Sequence, residues 1–403
     1  MPVKKVKELL ETYGLGLLFT ANVFGAGSVY ILSNTGAKFG YALLWTMPLS
    51  LLLGLGMHEM SGRLATINQP LMEYIRDTVG ASRAKPLAYF LAFIMHFWAI
   101  SNYTITGAAL VWLTPLNNLY VGVILGAGIG ISLVELRLYN RVEAAIAAFI
   151  LTVFSIYIVI AAGLTPPVQK VALGFVPAIQ ANYGYLVMVM ALLGTTVYYP
   201  NFFIQSSISE SKGFSEMRRY RRDHFVGLCF VVLLSTAVLV VAAMTLKPHT
   251  PTLASPANPL HSKLGSWAPT VFVVAVFLAS ISSATGTLFA AGYIVPQSRG
   301  RKPAFGNRSF RRVVELLIVM SVGFIVLLIE TTGANPVELG ILMPAINGVI
   351  GLPITVVALY MANERFFDHP RWLRVGLGIA VVVTIILALV SAVDLVNTIS
   401  KWF

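Results

Sequence analysis

Two short stretches of this chain could bind a solute inside otherwise apolar surroundings: Asn22-Val23-Phe24-Gly25-Ala26-Gly27-Ser28-Val29-Tyr30 and Gly194-Thr195-Thr196-Val197-Tyr198-Tyr199-Pro200-Asn201-Phe202-Phe203-Ile204-Gln205-Ser206-Ser207. Both offer amides, hydroxyls and backbone groups, with no ionised side chain. In hydrocarbon a helix keeps its N–H and C=O groups bonded internally, because each unpaired group costs several kcal/mol. Gly25 and Gly27, between Asn22 and Ser28, weaken the first helix where a solute could use freed backbone. Pro200 lacks a donor and clashes with the preceding turn, so it predicts a second interruption. Close helix packing for the first stretch and a simple kink for the second are the plainer alternatives.

These stretches need membrane-spanning elements to position them. The 403 residues are 57% hydrophobic and only 11% charged, with mean hydropathy +0.80, where a soluble domain carries about a quarter charged residues. Apolar windows long enough to span predict eleven helices, at 13–34, 41–63, 87–113, 118–135, 142–164, 183–209, 224–246, 268–296, 313–331, 336–362 and 372–397. A basic start, with Lys4, Lys5 and Lys7, precedes an apolar run with no convincing cleavage site, so a retained first span is expected.

The net charge of +12 is a topology signal, and nucleic acid is not an expected partner. With the N-terminus inside, 23 of the 28 Lys and Arg fall on inner segments, leaving Lys38, Lys170, Lys247, Lys263 and Lys401 outside. That asymmetry predicts a multi-pass cell-membrane protein of prokaryotic inner-membrane type, N-terminus cytoplasmic and C-terminus outside. The single Cys229 excludes an internal disulfide. Segment 64–86 reads as an amphipathic piece at the inner surface, with Leu71, Tyr74, Ile75 and Val79 at helical spacing. The linker with Pro248, Pro251, Pro256 and Pro259 reads as an extended external loop.

Spans one and six open two five-helix sets, and an odd number of helices per set inverts the second. Interrupted helices at corresponding places of inverted repeats point to a solute site near the bilayer midplane. The expected organisation is a cytoplasmic segment 1–12, a first repeat 13–164, an external linker 165–182, a second repeat 183–362, and an eleventh helix within 363–403.

The residues around the breaks carry a family resemblance. Gly36-Ala37-Lys38-Phe39-Gly40-Tyr41-Ala42-Leu43-Leu44-Trp45 with Glu59, Arg63 and Leu64, then Arg141-Val142-Glu143-Ala144, Leu193-Gly194-Thr195-Thr196-Val197, Ser282-Ser283-Ala284-Thr285-Gly286-Thr287-Leu288, Leu352-Pro353 and Pro370-Arg371-Trp372, resemble the NRAMP family of divalent-metal transporters. The resemblance implies an all-α LeuT-type core of ten helices in a 5+5 inverted repeat, plus an eleventh, in the amino acid–polyamine–organocation superfamily. It implies secondary transport of a divalent cation of the Mg/Mn/Fe class by alternating access.

The binding residues depart from that family. Its Asp-Pro-Gly-Asn becomes Gly25-Ala26-Gly27-Ser28, so Gly25 stands in place of the metal-binding aspartate. Its Met-Pro-His-Asn becomes Tyr198-Tyr199-Pro200-Asn201, so Tyr198 replaces the thioether and Pro200 the histidine. Candidate substrate-binding residues are Asn22, Gly25, Ala26, Gly27, Ser28, Thr195, Thr196, Tyr198, Tyr199, Asn201 and Gln205, with Asn201 and Ser28 as candidate metal ligands. A doubly charged ion without a carboxylate is costly at the midplane, unless it keeps its water shell as magnesium tends to do. The alternative is an organic solute, amino-acid-like or a carboxylate, received by free N–H groups at the glycine-rich break.

Intramembrane charges are functional candidates by default. Glu59, Arg63 and Glu143 are candidates for a gate or proton path, against the plainer reading of structural ion pairs; His58 and His96 read as packed or hydrogen-bonded. No nucleophile–base or metal-ligand cluster suggests an enzyme, and no nucleotide-binding or other cofactor motif is present. The expected partners are the transported solute or cation, membrane lipid and a coupling ion, possible as a proton.

Overall fold

The computed structural model describes residues 24–136, 139–178, 184–207, 217–247 and 252–400, with no side-chain description for 139–147. Its helices are α1 (Ala26–Phe39), α2 (Thr46–Thr66), α3 (Leu71–Val79), α4 (Ala81–Leu113), α5 (Leu119–Glu135), α6 (Tyr139–Gly163), α7 (Val168–Gly174), α8 (Tyr185–Thr196), α9 (Pro200–Ser207), α10 (Met217–Thr245), α11 (Asn258–Leu264), α12 (Ala268–Ser298), α13 (Arg308–Thr332), α14 (Pro336–Phe366) and α15 (Arg371–Ile399). No strand occurs among the described residues.

Local chemistry sets many of the boundaries. Asn335 caps α14 reciprocally: its Oδ1 accepts the Val337 and Glu338 amides, and Glu338 Oε2 accepts the Asn335 amide at 2.9 Å. Asn118 and Asn307 cap α5 and α13 in the simpler way. Gly333 closes α13 at φ 65°, a left-handed position that suits glycine.

Among the described residues seven helices, with α8 and α9 taken together, are long and apolar enough to cross a membrane; α2, which carries His58, Glu59 and Arg63, is not one of them. Burial ranks them. The apolar window of α8–α9 is 94% buried, against 28% for α13 and 29% for α15. The interrupted helix is therefore the centre of the bundle, and α13 and α15 form its rim.

Around that centre α4 packs most extensively on α12, then on α14, while α1 lies against α10. Small residues permit the closest approaches. A Cβ on Gly194 would lie 3.1 Å from Gly348 Cα, and one on Gly348 would lie 2.7 Å from the Met190 carbonyl oxygen, so α8 and α14 touch backbone to backbone. A Cβ on Gly36 would meet the Leu239 carbonyl oxygen at 2.4 Å.

Two local expectations change. The apolar face of α3, with Leu71, Met72, Tyr74 and Ile75 buried, packs on α4, α12, α9 and α14. It serves the protein core, and Val79 is exposed. The Pro-rich linker, of which 248–251 lie outside the described residues, is partly helical: Ser255–Ala257 form a 3-10 turn leading into α11. Proline at the first helical positions fits a helix start, since its missing N–H has no partner there. Tyr30 donates to the Leu253 carbonyl at 2.7 Å and Tyr157 to the Pro256 carbonyl at 2.5 Å, tying this linker down over α1 and α6.

Candidate functional site at the two helix breaks

The helix bearing the second stretch is interrupted outright. α8 ends at Thr196, Val197 adopts φ −92° and ψ 69°, and Pro200 is the first residue of α9. Pro200 thus starts the second half-helix. At the first stretch α1 begins at Ala26: Gly25 is extended, with φ −78° and ψ 177°, and no side chain caps the helix. Asn22 lies outside the described residues.

Gly25 faces α12 and α4. A Cβ there would come 2.9 Å from Ser283 Oγ, 3.1 Å from Ser283 Cβ and 3.8 Å from Asn102 Oδ1. Among the described residues Ser283 Oγ and Asn102 Oδ1, both buried, have no hydrogen-bond partner. So is Asn201 Nδ2, at the start of α9. Buried polar atoms are nearly always satisfied, so orphans at a helix break are sites waiting for a ligand or water. Asn102 is held in place because its Nδ2 donates to the Trp98 carbonyl at 3.0 Å, which leaves Oδ1 free.

Aromatic and hydroxyl groups wall the break. Tyr198 hydrogen-bonds Thr287 and stands edge-on to Trp98 at 4.7 Å between centroids. Thr287 in turn donates to the Ser283 carbonyl at 2.7 Å. Tyr199 points the other way: it donates to Asn347 Oδ1 at 3.1 Å and lies so close to Gly351 that a Cβ there would sit 2.3 Å from its ring. Thr195 and Thr196 donate back to the Leu192 carbonyl, at 2.9 and 3.2 Å, so only their oxygen lone pairs remain. Ala26, Gly27 and Ser28 are buried in the first turn of α1, where Gly27 packs toward Gly340 and Ser101. Ser28 donates its amide to the Gly25 carbonyl at 3.1 Å.

Gln205 belongs to another cluster, at the far end of α9. Its Nε2 lies 3.0 Å from His58 Nδ1 and 3.3 Å from His224 Nε2, and Tyr220 donates to its Oε1 at 2.6 Å. His58 Nδ1 also lies 3.2 Å from Gln205 Oε1, and His224 donates from Nδ1 to the Tyr220 carbonyl at 3.0 Å. This places His58 in a hydrogen-bonded role. His96 packs among Phe93, Phe97 and Phe324.

Glu59 bonds Arg63 at 2.7 Å and receives Arg221 bidentately at 2.6 and 2.8 Å. Arg63 also reaches His369 Nδ1 at 3.0 Å. Burial and then the Arg63 charge hold that imidazole below its ordinary pKa, so the neutral ring accepts. The side chain of Glu143 lies outside the described residues.

With this geometry in view, the chain's relatives can be compared. The family model described as natural resistance-associated macrophage protein-like, Nramp, matches residues 16–394. The chain belongs to the NRAMP family. The divalent metal cation transporter MntH of Bradyrhizobium diazoefficiens is 29% identical over 346 residues, covering 78% of this chain and 74% of that protein. In structure the chain is similar to the manganese transporter of Eremococcus coleocola, with TM-score 0.73, 17% identity and 96% and 86% of the two chains covered. It is also similar to MhsT in complex with L-phenylalanine, with TM-score 0.62, 12% identity and 94% and 98% covered. The NRAMP fold is thus LeuT-like and all-helical.

Asn102 and Ser283 escaped the sequence reading as binding residues. Asn102 could have been flagged as a carboxamide in the middle of an apolar span. Ser283 could have been flagged by its i, i+4 relation to Thr287, which puts both on the face of α12 that meets Tyr198. For this NRAMP chain no three His, Cys, Asp or Glu side chains converge among the described residues.

Proposed function

We propose that the chain is a secondary transporter that carries a divalent cation, still partly hydrated, through the neutral chamber between the two broken helices. The observation that carries this reading is the pair of unpartnered oxygens, Asn102 Oδ1 and Ser283 Oγ, at the Gly25 break of an NRAMP-fold chain. Neutral oxygens cannot compensate a double charge, but retained water spreads it; magnesium, which dehydrates reluctantly, suits such a site better than a thioether-seeking ion. Asn201 can join by turning its carboxamide so that oxygen replaces Nδ2. The orientation follows the basic residues, with the N-terminus cytoplasmic, and repeats 13–164 and 183–362 rock about the site.

In this reading a proton is the coupling ion and Glu59, at the crossing of Arg63 and Arg221, lies on its path. Glu59→Gln then alters the pH dependence of uptake; wild-type rate with unchanged pH dependence removes Glu59 from the path.

The test is uptake of Mg²⁺ and Mn²⁺ by purified protein in liposomes. Saturable flux that Asn102→Ala lowers about tenfold, the effect of losing roughly 1.4 kcal/mol of binding, supports the reading. A second reading is favoured by one observation: among the described residues Asn201 Nδ2 is an unpartnered donor, and α1 starts without a side-chain cap. Donors of that kind receive a carboxylate. Metal flux absent in the wild type, with saturable uptake of a small amino-acid-like carboxylate, establishes this alternative and overturns the first.

A further inference from the structure

We propose that Tyr198, packed with Trp98 and Val231, is the gate that seals the solute chamber from the end of the bundle where α9 terminates; this deepens the transport reading and rests on it. Helix register places these side chains. Tyr103 hydrogen-bonds Thr285 at 3.4 Å and Arg299 donates to Tyr89 at 2.8 Å, so α4 and α12 run antiparallel. Four residues advance a helix by about 6 Å. Trp98 on α4 and Thr287 on α12 therefore share one layer, a turn beyond the unpartnered oxygens of Asn102 and Ser283 and toward the end marked by Arg299. The α9 helix points the same way, since its Ser207 accepts from Gln297 at 3.0 Å. Gln205, with His58, Tyr220 and His224, makes a further polar layer about 10 Å past Tyr198.

Between those two polar layers stand Trp98, Tyr198 and Val231, which are 5%, 3% and 2% exposed and form an apolar cluster separate from the main core. An apolar constriction of this kind stops hydrated ions, because water leaves it and nothing there replaces the hydration shell. The Tyr198 hydroxyl is itself committed. Thr287 has a single hydrogen and gives it to the Ser283 carbonyl at 2.7 Å, so in the Tyr198–Thr287 bond the phenol is the donor. Val197, Tyr198 and Tyr199 lie between α8 and α9, outside either helix. Tyr199 fastens this linker to Asn347 on α14, while Tyr198 holds it to Thr287 on α12 and stands edge-on to Trp98 on α4. When α9 shifts against α4 and α12, the Tyr198 contacts that must part are one hydrogen bond and one ring pair.

The experiment measures how fast a membrane-impermeant, cationic methanethiosulfonate reagent modifies Ser283→Cys, in a Cys229→Ala background, from each side of sealed vesicles of known orientation. No transported solute is added, so an absence of metal flux, which sinks the transport reading, leaves this measurement intact. Tyr198→Phe keeps the ring and loses the bond to Thr287. Modification from the inner side, to which the basic residues assign this end of the bundle, is expected to rise about fivefold, the equivalent of roughly 1 kcal/mol. Thr287→Val removes the acceptor in place of the donor and is expected to give the same rise, with no further gain in the double variant, because both break one bond. Tyr198→Ala loses the edge-on ring pair as well and is expected to raise the inner rate by more than about tenfold, with the outer rate unchanged. Elution volume reports the folding of each variant. An inner rate unmoved by Tyr198→Ala, or equal rises from both sides, overturns the gate; additive effects of Tyr198→Phe and Thr287→Val overturn the Tyr198–Thr287 bond as its latch.

Discussion

At the scale of single residues, the break at Gly25 is fitted to a small neutral neighbour. Gly25→Asp alone brings a Cβ within 2.9 Å of Ser283 Oγ, and overpacking of that kind costs about 1–3 kcal/mol. The expected result is lower thermal stability for Gly25→Asp, recovered in Gly25→Asp/Ser283→Gly. If a cation is carried, the double variant also transports it more tightly; unfolding curves and uptake assays report the two effects separately. Asn102→Asp tests the same point from α4. Its carboxylate is expected to lower the KM for a divalent ion while retaining the position set by the helix.

The sequence shows that this site lacks charge, because Gly25, Tyr198 and Pro200 are legible as types. What it hides is the third wall. Asn102 and Ser283 lie 77 and 258 residues from Gly25, and only the packing of α1 on α4 and α12 brings them together. Gln205 is the converse case: seven positions past Tyr198 it belongs to a different cluster, since a helix of that length carries it about 10 Å along the axis.

At the scale of elements, α9 is a short helix held by its neighbours. Ser61 donates to its Phe202 carbonyl at 3.0 Å, Ser206 accepts the Leu71 amide at 3.1 Å, and Gln297 donates to Ser207 at 3.0 Å. Gln205 adds the link to α2 and α10. Gln205→Leu removes the carboxamide's bonds to His58, His224 and Tyr220, with an expected loss of about 1–3 kcal/mol in all. Thermal unfolding of the variant beside the wild type checks this. On the α8 side, Gly351→Ala must push Tyr199 away and break its bond to Asn347. It is expected to destabilise the fold and to reduce flux, whereas Gly376→Ala, with open space around it, is expected to change neither. Proline and glycine mark such places in the sequence, but they do not say whether a helix kinks or parts. The non-helical Val197 and the helix restarting at Pro200 decide it here, and no pattern of residue types distinguishes those outcomes.

At the scale of the whole molecule, the bundle was readable because its signal is long apolar helices and their charged ends. The α3 segment is amphipathic and helical as the sequence predicts, with its buried face on the protein core, whereas the Pro-rich linker is partly helical and not extended, because proline suits a helix start as well as a loop. That linker now carries a prediction. Tyr30 and Tyr157 fasten it to α1 and α6, so Tyr30→Phe is expected to ease opening on that side, which the placement of basic residues predicts to be external. A cysteine at Ser28, in a Cys229→Ala background, should then be alkylated faster from outside, by about fivefold if the lost bond is worth roughly 1 kcal/mol. An unchanged rate would mean that the linker does not gate access.

The contact of Gly25 with Ser283 also bears on descent. Return to a charged site needs two changes, in helices far apart in the chain. Taken first, the aspartate collides with the serine; taken first, the loss of the serine removes one of the two free oxygens while adding no charge. Each single change is therefore expected to perform worse than the two together, so the two positions can change only as a pair.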